Sequence, residues 1–218
     1  PSLPCGQAAR APHAMAAASV GGVRAPVHQL RHKPIAGRKV RVLALHGAPA
    51  NSNIMRFQTA SLRRQLGPEV EWIYPDAQYE VSPTEGLSKD VHVSFIHERS
   101  AFEERLSQGK PFVSWFRIMD GDPVNMMPVI SDQDMLEASL KQLTDLVERE
   151  GPIDILVAFS QGVLVGTMLA NHFRICGKPI PWRLSLLFTS TGPCPCDMFE
   201  PAVPVPAIFI TSQRYAEY

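Results

Sequence analysis

From residue 39 onward the chain alternates apolar runs of strand length with amphipathic stretches of helix length. Residues 39–46 (KVRVLALH) read as a buried strand that ends in His46-Gly47. Residues 51–66 follow as a helix, with Asn51 or Ser52 as its cap and Leu62 and Leu66 one turn apart. Residues 70–74 form a second short strand, stopped by Pro75-Asp76. Residues 77–129 are polar and weakly periodic, apart from a short helix expected near 101–106. A stretch of that length without regular pattern reads as a lid or binding loop. Periodicity resumes at Ser131, which with Asp134 resembles a capping box in which Asp stands for the usual Glu or Gln. Leu136, Leu140, Leu143 and Val147 then keep helical spacing until Gly151-Pro152. Residues 153–158 (IDILVA) are nearly all apolar, as in a parallel strand covered on both faces. A helix over 161–174 offers Val163, Leu164, Met168 and Leu169 for packing, and strands are expected over 184–188 and 207–211. Strand and helix alternate with short connections. This predicts an α/β fold with at least five mostly parallel strands and helices on both faces.

Composition divides the chain in two. Residues 1–38 hold nine alanines, five prolines, five basic residues and no acid, and the first acidic residue is Glu69. Such a segment cannot bury enough apolar surface to order itself, so 1–37 is expected to be a disordered leader and 38–218 the domain. Arg-rich, acid-poor leaders also resemble transit peptides, and Met15 is an alternative start. The expected location is cytoplasmic, or mitochondrial or plastid if the leader acts as an address. Lysine plus arginine equals aspartate plus glutamate at 21 each, so no global field argues for nucleic acid or an anionic membrane as partner. No apolar run reaches the roughly 18 residues that span a bilayer. Of the four cysteines, Cys194-Pro195-Cys196 lacks the spacing and the second ligand pair of a zinc site, so neither metal nor cofactor is expected.

Ala158-Phe159-Ser160-Gln161-Gly162 carries the chemistry. It joins the expected strand 153–158 to the expected helix 161–174, the context of a nucleophile elbow. The turn is so sharp that its flanking positions must be small, and it lifts the Ser160 hydroxyl above the sheet at a helix N-terminus. Alanine at 158 replaces the more usual glycine. The bland reading of the same residues is a Ser-Gly helix start with Ser160 as cap. A second signal is His46-Gly47, because the loop after this strand can supply an oxyanion donor. The candidate donors are the backbone N–H groups of Gln161 and Ala48; Pro49 has none. His46 itself is read as a structural histidine under the loop.

The segments LHGAPANSNIMRFQTASLRRQL, VEWIYPDAQYEV, SWFR, REGPIDILVAFSQG and WRLSLLFTSTG resemble, in order, the FSH family of serine hydrolases. That family includes ovarian tumour-suppressor-candidate hydrolases and esterases of polyketide pathways. The resemblance runs from about residue 40 to 210 and rests on His46-Gly47, Asn51, Gln58-Thr59, Pro75-Asp76, Trp115 and Phe159-Ser160-Gln161-Gly162. It implies an α/β-hydrolase fold and hydrolysis of a small-molecule carboxylester or thioester through an acyl-enzyme on Ser160. It also sets Trp115 in the loop near the acyl pocket, a residue equally well read as a buried packing residue. Two departures stand out. Residues 83–112 are longer and more charged than the family stretch. After the strand at 206–210, Thr211-Ser212-Gln213 stands where the family has Gly and the triad Asp.

The domain is therefore expected to be incomplete at its C-terminus and to turn over simple esters poorly as it stands. His172, the one histidine after Ser160, lies twelve residues on in the same helix, about 18 Å up its axis. His92 and His97 in the long loop stay open as bases, and Asp197 as an acid. The alternative is a hydrolase-like domain that has lost catalysis and serves as a binding or structural protein.

Overall fold

The computed structural model describes residues 37–81, 99–119, 129–130, 133–188 and 205–210. Residues 1–36 of the expected leader, Ser131, His92, His97, Cys194, Cys196 and Asp197 lie outside the described residues.

A five-stranded parallel sheet organises them. Its strands are β1 (Val40–Leu45), β2 (Val70–Ile73), β7 (Ile155–Phe159), β8 (Leu184–Phe188) and β9 (Ala207–Ile210), in the order β2-β1-β7-β8-β9. All four pairings are parallel. Strand β1 lies inside the sheet, and its side chains alternate between two cores. Leu43 and Leu45 face a cluster with Leu156, Leu136, Leu143, Val165 and Leu169. Val42 and Ala44 face a second cluster with Met55 and Val157. Helices α4 (Gln133–Glu150) and α5 (Gln161–Ile175) contribute to the first core, and α1 (Ser52–Gln58) to the second. Burial on both faces is why β1 and β7 read as continuous apolar runs.

The helix expected over 51–66 is two helices, α1 and α2 (Ala60–Leu66), divided at Thr59. The Thr59 hydroxyl donates back to the Met55 carbonyl at 2.8 Å, beside the Thr59 N–H, which donates to the same oxygen at 3.0 Å. Asn51, not Ser52, is the cap: its side chain accepts from the N–H of Asn53 and Ile54.

The stretch expected to be irregular contains regular pieces. Helix α3 (Ala101–Ser107) carries a complete capping box between Ser100 and Glu103. Two short antiparallel pairs join β3 (Tyr79–Glu80) to β4 (Val113–Ser114) and β5 (Ile118–Met119) to β6 (Val129–Ile130). At the opposite edge of the sheet, buried Asp154 accepts from Arg38 at 2.7 and 2.8 Å, from the Arg41 N–H at 2.9 Å and from Arg183 at 3.3 Å. The Arg38 guanidinium, against the cost of burial, holds this carboxyl below the usual carboxylate range. The clamp ties the starts of β1, β7 and β8 together, which leaves their carboxyl ends free to carry a site.

Candidate active site

Strand β7 passes to α5 through Ser160 alone. Ser160 has φ 50° and ψ −118°, a conformation that costs a residue with a Cβ about 1–3 kcal/mol. Its N–H donates to the Phe188 carbonyl at 3.0 Å, and its carbonyl accepts from the Val163 N–H at 2.9 Å. Ser160 stands at the N-cap position of α5, yet its side chain makes no capping hydrogen bond. Gly162 explains how so sharp a turn fits. A Cβ there would lie 2.6 Å from the Leu45 carbonyl oxygen and 2.7 Å from that of His46, backbone atoms that cannot yield. Ala158 is fully buried in register with Leu45 and Leu187, where its small side chain suffices.

The loop after β1 lies against the elbow. A Cβ on Gly47 would come within 3.1 Å of the Ser160 Cβ, a contact that would press the loop and Ser160 apart by a few tenths of an ångström, so glycine suits this close approach. Ala48 follows at the rim. Among the described residues the N–H groups of Ala48 and Gln161 have no hydrogen-bond acceptor. The first belongs to the glycine loop and the second opens a helix of 15 residues beside it.

His46 is structural. Its Nε2 accepts the Ala77 N–H at 3.1 Å and its Nδ1 donates to the Gly47 carbonyl, an arrangement that fixes one neutral tautomer. Burial pushes its pKa down to about 4. Both ring nitrogens are occupied, so His46 is no proton acceptor. Trp115 proves to be a fully buried packing residue. It stacks on His46 with centroids 4.8 Å apart, and its indole N–H donates to the His46 carbonyl at 2.9 Å.

Two groups here escaped the sequence. The side chain of Gln161 is buried and bonded to Ser114, Trp115 and Phe116. Asp76 receives the Ser52 N–H and hydroxyl and the Lys110 ammonium, the last at 2.7 Å. Burial alone would raise the Asp76 carboxyl, but Lys110 and Ser52 outweigh it and hold it below its ordinary value. The signal for Asp76 was present in Pro75-Asp76 at a strand end; for the Gln161 carboxamide there was none.

His172, the second histidine among the described residues, is exposed on α5 with its Nε2 3.8 Å from the Cys176 sulfur, away from the elbow. No cluster of three or more metal-ligating side chains occurs among the described residues. No described helix is long and apolar enough to cross a membrane. A cleft of about 810 Å³ opens at the far end of α5, lined by Arg174, Lys178, Trp182 and Arg183, and includes none of the elbow residues.

A parallel sheet flanked by helices, with a strained serine at a strand-to-helix turn and a glycine loop against it, defines the α/β-hydrolase fold. Residues 36–213 match the family described as serine hydrolase (FSH1), and the chain belongs to that family. Similar proteins include the esterase mlcF of Penicillium citrinum, 29% identical over 147 residues covering 65% of this chain and 51% of that one. The esterase FPY3 of Fusarium mangiferae is 24% identical over 163 residues, covering 71% and 58%. Acyl-protein thioesterase 2 of Zea mays is similar in structure, with a TM-score of 0.44 and 22% identity over 75% of this chain and 62% of that one. The chain thus spans about half the length of the curated relatives it matches.

Proposed function

We propose that the protein hydrolyses small-molecule carboxylesters or thioesters through an acyl-enzyme on Ser160. The observation that carries this reading is the backbone of Ser160, forced into a positive φ between a buried strand and a helix with no capping bond to reward it. Strain of this kind persists where the surrounding structure imposes it, and here it presents the hydroxyl at the carboxyl edge of the sheet.

In the proposed reaction the Ser160 oxygen attacks the acyl carbon and its proton passes to a base. The carbonyl oxygen becomes an oxyanion between the N–H groups of Gln161 and Ala48. Collapse expels the alcohol or thiol, which takes up a proton, and water then releases the acid from the acyl-serine. Neither His46 nor His172 is the base, for the reasons given above. The esterase names of the two fungal relatives support the substrate class. The test is hydrolysis of a short-chain aryl ester and an acyl thioester by the wild type and by Ser160→Ala. Turnover in the wild type that disappears in the variant supports the reading. Equal rates in the two proteins contradict it.

A further inference from the structure

We infer that the side chains of Gln161 and Trp115 are positioning residues that fix both oxyanion donors to one shared segment, residues 113–116. The inference rests on Ser160 as the nucleophile. The reaction asks of residue 161 only its backbone N–H, which almost any side chain would leave in place. Yet the Gln161 carboxamide is spent entirely on this segment. Its Oε1 accepts the Trp115 N–H at 2.9 Å and the Ser114 hydroxyl at 3.0 Å, and its Nε2 donates to the Phe116 carbonyl at 2.8 Å. These partners lie 45–47 residues away in sequence, so the bonds hold the elbow to an otherwise separate loop.

The second donor is held to the same segment from both sides. Two residues before Ala48, His46 accepts the Trp115 indole N–H at 2.9 Å and stacks on its ring. Two residues after it, Ala50 pairs with Val113 through backbone bonds of 2.8 and 3.2 Å. The segment is itself anchored, since the Trp115 carbonyl accepts the Ser139 hydroxyl from α4 at 2.5 Å. Ala48 and Gln161 thus belong to different loops but share one reference frame. Oxyanion donors act only near 3 Å from the charge, and an error of about 1 Å can cost about 100-fold in rate. A frame common to both donors keeps their separation fixed.

The experiment compares the wild-type chain with Gln161→Met, Trp115→Phe and Ser160→Ala. Gln161→Met keeps length and the backbone N–H but loses all three side-chain bonds. Trp115→Phe keeps the stacked ring and loses the bond to His46. The readouts are kcat and KM for p-nitrophenyl acetate, affinity for phenylboronic acid, whose serine adduct is tetrahedral, and the thermal unfolding midpoint. Gln161→Met is expected to lose about 10–100-fold in kcat and in boronate affinity with KM within about twofold. Trp115→Phe is expected to lose about 3–10-fold in the same pattern, and serves alone if Gln161→Met does not fold. Wild-type kcat and boronate affinity in a folded variant overturn the inference while leaving the nucleophile standing. A wild type no faster than Ser160→Ala overturns both.

Discussion

Strands β1 and β9 belong to one parallel sheet and meet opposite surroundings. Val42 to Leu45 of β1 are at most 1% exposed, packed between two cores. On β9, Ile208, Phe209 and Ile210 are 52%, 67% and 42% exposed. Ser160, the proposed nucleophile, and the glycine loop stand at the ends of β7 and β1, where the framework is tightest. Residues 211–218, which follow β9, lie outside the described residues. The strained serine and the loop against it are thus carried by the most deeply buried of the described strands.

The largest expected effect concerns His46, just after β1. Its pKa is near 6.5 in an unfolded chain and about 4 in the fold. Below pH 6.5 the unfolded state takes up a proton that the folded state refuses. Stability is therefore expected to fall as pH drops from about 6.5 to about 4, by about 3 kcal/mol in total from this group. Urea unfolding across that range checks it against His46→Gln, whose profile should be flatter. Parallel profiles would mean His46 is not held neutral.

Leu43→Ala and Phe209→Ser test the comparison itself. The first removes a fully buried side chain and is expected to cost about 3 kcal/mol. The second alters an exposed one and should stay within about 0.5 kcal/mol. Equal losses would show that the β9 face is covered in solution and abolish the contrast. Gly162→Ala sharpens the picture at the elbow. Its methyl would press on two carbonyl oxygens, at an expected cost of about 2 kcal/mol and most of the reactivity of Ser160. The smallest effect is at the rim. Lys110→Met should raise the Asp76 carboxyl toward its ordinary value, read by NMR titration. Both side chains are partly exposed, so the loss of stability should stay below about 1 kcal/mol.

Features whose parts are contiguous in the chain were legible in advance. The strand, Ser160 and the helix after it follow one another without interruption, and so do β1, His46 and Gly47. The break at Thr59 was missed because residues 60–66 continue the helical pattern and the ladder bonds from Thr59 to Met55 and from Arg63 to Thr59 persist across it. The pairs β3–β4 and β5–β6 have two residues per strand, too few for any period to register. The Asp154 clamp joins Asp154 to residues 29, 113 and 116 positions away. The bonds of Gln161 span 45–47. No local pattern encodes such partners, because tertiary packing alone chooses them. Trp115 shows the limit from the other side: its presence was conspicuous, while its role depended on the ring of His46 lying beneath it.

Covalent capture probes whether Ser160 is the activated nucleophile proposed above. The protein is treated with a fluorophosphonate probe, digested, and the modified residue located by tandem mass spectrometry. A single phosphonylated site is expected at Ser160, absent from Ser160→Ala and abolished by prior denaturation. An unmodified Ser160 in the folded protein, or equal labelling of Ser160→Ala at another residue, would contradict it.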